Sequence, residues 1–136
     1  MTSPNTTVDR LLRATNDHDL ERLVGCFSPE YVNETPAHPA RSFRGREQVR
    51  RNWEQIFAAV TDLHAEMRNC VTEGDSVWTE WEMSGARHDG SRHLLAGVII
   101  FVVEQNLIQR ARFYLEPVDD GPMNADDAVR AQVAAR

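Results

Sequence analysis

The chain has 136 residues, 41% hydrophobic and 26% charged, with a formal net charge of −6. That suits one domain with one core, and the acidic balance excludes general nucleic-acid binding, which needs a clustered positive surface. All fifteen basic residues are arginine, so Schiff-base chemistry is excluded, and with it pyridoxal-phosphate enzymes and class I aldolases.

Residues 1–6 read as an N-terminal tail without the basic-then-apolar layout of a secretory signal. Val8, Leu11, Leu12 and Thr15 then predict a helix, with Thr6 or Thr7 as its cap. "NDHD" (residues 16–19) breaks it, and Asp19 can cap a second, short helix. There Leu20, Leu23, Val24 and Phe27 fall at helical spacing until "SPE" ends the pattern. "YVNE" reads as a short strand. The proline-rich stretch after it reads as loop, because proline removes ladder donors. From Arg46 a longer helix carries Val49, Trp53, Ile56, Phe57 and Val60 on one stripe. The arginines Arg41, Arg44, Arg46, Arg50 and Arg51 read as a solvated helix face pairing with nearby acids, ahead of the alternative of a phosphate or anion site.

Beyond residue 62 the period changes to two: Leu63, Ala65, Met67 and Val71 alternate with His64, Glu66, Arg68 and Thr72. Turns at residues 73–75, Asp89-Gly90 and Gln105-Asn106 divide the remainder into four strands, and hairpins this short imply an antiparallel meander. The longest apolar run, "LLAGVIIFVV", is half the length of about 20 residues that a membrane-spanning helix needs, so it reads as a buried strand. Residues 119–136 are acidic and alanine-rich, either a short helix from about Ala125 or a tail without fixed structure. Helices grouped ahead of an antiparallel sheet make an α+β domain over residues 7–118, with the helices on one face. Cys26 and Cys70 show no redox or metal spacing, nor do His18, His64, His88 and His93. No metal site is expected, and reduced thiols suit a cytoplasmic protein.

Four stretches together resemble one superfamily. "NDHDLERLVGCFSPEYVNETP" is similar to its opening, two short helices leading to a strand that ends in an acid or histidine and a proline. "RGREQVRRNWEQIFAAVTDLHAEM" resembles its glycine-led third helix and first long strand, "EGDSVWTEWEMSGARHDG" its second long strand, and "RARFYLEPV" its final strand. The superfamily is that of nuclear transport factor 2, ketosteroid isomerase, limonene epoxide hydrolase and the SnoaL-like polyketide cyclases. The resemblance implies three N-terminal helices packed on a curved, mostly antiparallel sheet, a cone with a pocket at its open end, and a homodimer formed through the outer face of the sheet. It does not deliver an activity, because the fold hosts isomerases, cyclases, hydrolases and non-catalytic proteins.

Reactions in such pockets move a proton beside a carbonyl or open an epoxide, and both need a base and a donor for the developing oxyanion. The resemblance puts Glu34 where relatives carry an acid or histidine before the proline, and His38 on a loop able to arch over the mouth. Trp53 and Trp81 are candidate apolar lining, the latter with Thr79 and Met83 on the more apolar face of its strand, leaving Glu80 and Glu82 outside. On the last strand Arg112, Tyr114 and Glu116 alternate with Ala111, Phe113 and Leu115. Their polar face is either a wet strand face or a pocket wall in which Arg112 keeps the Glu116 carboxylate ionised. Glu34, Tyr114 and Glu116 are therefore the candidate catalytic groups, and His38, Trp53, Trp81 and Arg112 the candidate substrate-binding ones. The expected function is a cofactor-independent cyclase or isomerase acting on a hydrophobic carbonyl compound. The alternatives are a non-catalytic ligand-binding or dimerisation module and an epoxide hydrolase. For the last, the aspartate of limonene epoxide hydrolase would fall on or next to Phe113.

Overall fold

The computed structural model describes residues 3–135. Helix α1 spans Pro4–Asn16, and α2 spans Leu20–Val24. The first helix begins earlier than the apolar pattern suggests, because Pro4 at its start has φ already set and needs no N–H partner. Thr7 is consequently buried within the helix rather than capping it. Asn16 fastens the end of α1 to the sheet: its Nδ2 donates to the Ala65 carbonyl (3.0 Å) and its Oδ1 accepts from the Ala65 N–H (2.7 Å). Asp19 caps α2 by accepting from the Arg22 N–H, as its position predicts.

Phe27 belongs to strand β1, Phe27–Glu34, and not to the second helix. The strand is longer than "YVNE" because it runs parallel beside the last strand, with a bulge between Phe27 and Val32 that absorbs Pro29. A two-residue strand β2, Phe43–Arg44, pairs antiparallel with it and was hidden in the proline-rich loop. Gly45, at φ 89°, opens α3, Arg46–Ala59. Four long strands follow: β3 His64–Glu73, β4 Ser76–Ala86, β5 Arg92–Glu104 and β6 Leu107–Pro117. The β5–β6 link turns on Gln105 and Asn106, both at positive φ, the backbone a tight two-residue hairpin requires. A closing helix α4, Ala125–Val133, carries a reciprocal cap between Asn124 and Asp127.

The six strands form one sheet in the order β2-β1-β6-β5-β4-β3. Gly97 has a structural duty at its centre. A Cβ there would lie 2.0 Å from the Tyr114 carbonyl oxygen, so β5 and β6 approach where no side chain fits. The inward faces of β4 and β5 carry Val77, Trp81, Met83, Ile99 and Phe101, which meet Val8 and Leu11 of α1, Leu23 of α2 and Val49 of α3 in a single core. No described helix is long and apolar enough to cross a membrane.

A candidate ligand cavity

Helices α1 and α3 do not fill the concave side of the sheet, and a cavity of about 390 Å³ remains between them. Its apolar wall comes from every layer: Leu11 of α1, Val49, Trp53 and Ile56 of α3, Phe27 and Tyr31 of β1, Trp81 and Met83 of β4, Leu95 and Ile99 of β5. Phe113 and Leu115 of β6 complete it. Thr35, Arg41 and Glu116 supply the polar border.

The polar groups within it are mostly committed to one another. Tyr31, Asn33 and Thr35 share one face of β1 and its extension, by the two-residue period of a strand. The Tyr31 hydroxyl donates to Asn33 Oδ1 at 2.7 Å, and Asn33 Nδ2 donates to Thr35 Oγ1 at 3.3 Å. Burial pushes the Tyr31 phenol far above its ordinary range, so it stays protonated and a donor. The Trp81 indole N–H donates to Thr79 Oγ1, which donates to the Ile99 carbonyl at 2.6 Å. On α3, Gln48 Nε2 donates to Asn52 Oδ1 at 2.8 Å. His93, also in the wall, is held below its ordinary value by burial and secondarily by the nearby Arg87 charge, which favours the neutral ring.

Of the residues singled out from sequence, Trp53, Trp81 and Glu116 line the cavity. His38 reaches it through Glu116: its Nε2 lies 2.9 Å from Glu116 Oε1, both side chains about 40% exposed. Glu34, Arg112 and Tyr114 are not in the wall. Glu34 follows Asn33 directly, so alternation turns it outward, where it pairs with Arg110 Nη2 at 3.0 Å. Arg112 and Tyr114 share that outer face, and Tyr114 is 42% exposed, because Phe113 and Leu115 take the cavity side. Glu116 keeps the parity of Arg112 and Tyr114 yet borders the cavity. β1 ends at Glu34, opposite Arg112, which leaves the end of β6 open on that side to the loop carrying His38. The Thr79-Trp81-Met83 face of β4 is buried as expected, and Glu80 is outside, accepting from Asn69.

Tyr31, Asn33, Asn52 and His93 were not anticipated. Tyr31 and Asn33 alternate with the outward-facing Glu34, a signal available only once β1 is known to be longer than four residues. Asn52 has a plainer one: it stands three residues after Val49, a polar side chain set into an apolar stripe.

A family model described as a SnoaL-like domain matches residues 8–111. Among solved structures the chain is similar to wild-type IdmH, a candidate polyketide cyclase from Streptomyces antibioticus, at 23% identity and TM-score 0.73, covering 84% of this chain and 92% of that one. An M. tuberculosis epoxide hydrolase of the LEH-like type aligns at 17% identity and TM-score 0.71, over 83% of this chain and 82% of that one. RV0760c from Mycobacterium tuberculosis, in complex with estradiol-17beta-hemisuccinate, aligns at 19% and 0.71, over 83% and 94%. At these identities the likeness shows the shared fold. No curated protein matches the sequence.

Proposed function

The chain belongs to the SnoaL-like domain family, and on that premise we propose that it binds a hydrophobic, carbonyl-bearing small molecule and moves a proton on it without a cofactor, as a cyclase or isomerase. The observation that carries this reading is the Glu116–His38 pair on the border of an otherwise apolar cavity. A volume of about 390 Å³ suits a small organic ligand, and the aromatic wall suits a ring system. Glu116 takes the proton from the carbon beside the carbonyl, and the electron pair moves onto the carbonyl oxygen as an enolate. Returning the proton to a different carbon gives an isomer; attack of that carbon on a second carbonyl closes a ring. His38 orients the carboxylate and can pass its proton to solvent. Glu34 and Tyr114, outside the wall, take no part in this scheme.

Two relatives in the same fold bear on it. The likeness to a candidate polyketide cyclase favours this chemistry, and the complex of RV0760c with a steroid ester favours a rigid polycyclic ligand. The likeness to an epoxide hydrolase carries less weight, since Phe113, on or next to which the resemblance puts that activity's aspartate, lines the cavity as an apolar side chain. A second reading, binding without turnover, is favoured by the interior polar groups that satisfy one another.

Proton exchange in D₂O separates the two. Hydrophobic ketones incubated with the protein are followed by NMR, and binding is followed through the fluorescence of Trp53 and Trp81. Catalysed exchange that Glu116→Gln slows by about 10²-fold or more, with binding kept, supports the enzyme. Binding with no exchange in the wild type supports the non-catalytic module and sinks the proton-transfer scheme. We also expect a second copy of the chain on the outer face of the sheet, where Val71, Trp78 and Tyr114 are exposed on rows joined by the pairings of Val71 with Trp78, Trp78 with Ile100, and Val98 with Tyr114.

A further inference from the structure

We propose that the cavity selects its ligand through a hydrogen-bond acceptor held by the Asn52 side-chain amide, whose direction is imposed from outside the cavity by Arg51 and Gln48. The inference rests on the reading above that the cavity is a small-molecule site, and adds which polar group of the ligand it recognises.

The polarity follows from a one-way chain. A guanidinium has N–H donors and no acceptor. Arg51 Nη2 lies 2.6 Å from Gln48 Oε1, so this end of the Gln48 amide must be its oxygen. Its other end is therefore the NH₂ group, which donates to Asn52 Oδ1 at 2.8 Å. With its oxygen engaged by Gln48, Asn52 is left with Nδ2 as the group to offer the cavity it lines. All three residues sit on α3 at spacings of three and four, which brings them together on one flank of the helix. Gln48 and Arg51 do not line the cavity; they act only through Asn52.

Two other donors in the wall are already taken. The Tyr31 hydroxyl is spent on Asn33 and the Trp81 indole on Thr79. Asn33 has the same polarity as Asn52, with its oxygen accepting from Tyr31 and one N–H given to Thr35. On the border Arg41 adds donors only, and the acceptors there already have partners, Glu116 in His38 and Thr35 in Asn33. A ligand whose buried polar atom only accepts, such as a ketone or quinone oxygen, matches this wall. An alcohol can accept as well, but its own O–H finds no acceptor on the Asn52 amide, whose oxygen Gln48 already engages, and unmatched burial is what a site of fixed polarity rejects.

The test compares 2-decalone with 2-decalol, one skeleton carrying either polarity, with affinities read from tryptophan fluorescence on the full chain. The wild type is expected to prefer the ketone by roughly three- to tenfold, the scale of one hydrogen bond. In Gln48→Glu the side chain facing Asn52 can only accept, so the Asn52 amide turns over, its oxygen faces the cavity, and the preference reverses toward the alcohol. Asn52→Asp keeps the Gln48 contact and gives the cavity only acceptors, so it reverses the preference by a second route if Gln48→Glu does not fold. Asn52→Leu brings the ratio toward one. A merely structural role for Gln48 would weaken both ligands alike and leave the ratio where it was, which overturns the proposal. Equal wild-type affinities also overturn it while leaving the small-molecule site standing. Failure of both ligands to bind the wild type removes the site and this inference together.

Discussion

Thr79→Val probes how the cavity wall is held together. Valine matches threonine in shape and strand preference, so the substitution removes one hydroxyl and little else. That hydroxyl is 2% exposed with its residue, accepts the Trp81 indole N–H and donates to the Ile99 carbonyl. Trp81 is itself 1% exposed, so water cannot replace the lost acceptor without entering the core. Leaving a buried donor unsatisfied costs about 1–3 kcal/mol. With a urea slope of roughly 1–3 kcal/mol per molar for a small domain, the unfolding midpoint should fall by about 1 M. Thr79→Ser keeps the oxygen and should recover most of the loss. The decisive measurement is a double-mutant cycle with Trp81→Phe, which deletes the indole N–H. If the bond matters, Thr79→Val costs much less in that background, with a coupling of about 1–2 kcal/mol. Equal costs in both backgrounds would refute the account of Thr79 as the partner that holds Trp81 in the wall.

His93 carries a pH dependence with a definite sign. Burial, and then Arg87, lower its value from the ordinary 6.5 in the folded chain, so the unfolded chain binds the proton more readily. Its contribution is full above pH 6.5 and is lost as pH falls below it toward the folded value. Thermal melts between pH 7.5 and 5 should show that loss, and His93→Gln should flatten it; an unchanged profile would exclude His93. Trp78→Glu should leave the fold intact, since Trp78 is half exposed on the outer sheet face. Light scattering should then report a dimer for the wild type and a monomer for the variant, and an unaltered mass in the variant would move the expected interface elsewhere. Gly97→Ala should give a severely destabilised or insoluble chain, because its Cβ would strike the Tyr114 backbone and not a movable side chain; a wild-type melting temperature would contradict the close approach of β5 and β6.

The elements with strong periodicity were legible residue by residue. The α3 stripe of Val49, Trp53, Ile56 and Phe57, the inward Thr79-Trp81-Met83 face and the hairpin at Gln105-Asn106 each follow from a local rule. Their order was enough to identify the fold. β1 was harder, because a parallel neighbour 80 residues away in sequence, not local pattern, keeps Phe27 and Ser28 extended past Pro29. β2 was missed for the same reason: two residues have no period to read. Among site residues, Trp53, Trp81 and Glu116 line the cavity, and His38 touches it through Glu116. Glu34, Arg112 and Tyr114 lie outside it because pleat parity, invisible until the register is known, turns them outward.

By itself, then, the sequence determined the strongly periodic helices and strands, their order, and hence the α+β cone, because hydrophobic period and turn chemistry act over a few residues. Only the tertiary structure decided which residues meet. The Glu116–His38 contact depends on β1 stopping where β6 continues. That Asn52 borders the cavity while Gln48 and Arg51 of the same helix do not depends on how α3 packs over the sheet. Both are products of strand register and helix packing, which residue identity and spacing leave open.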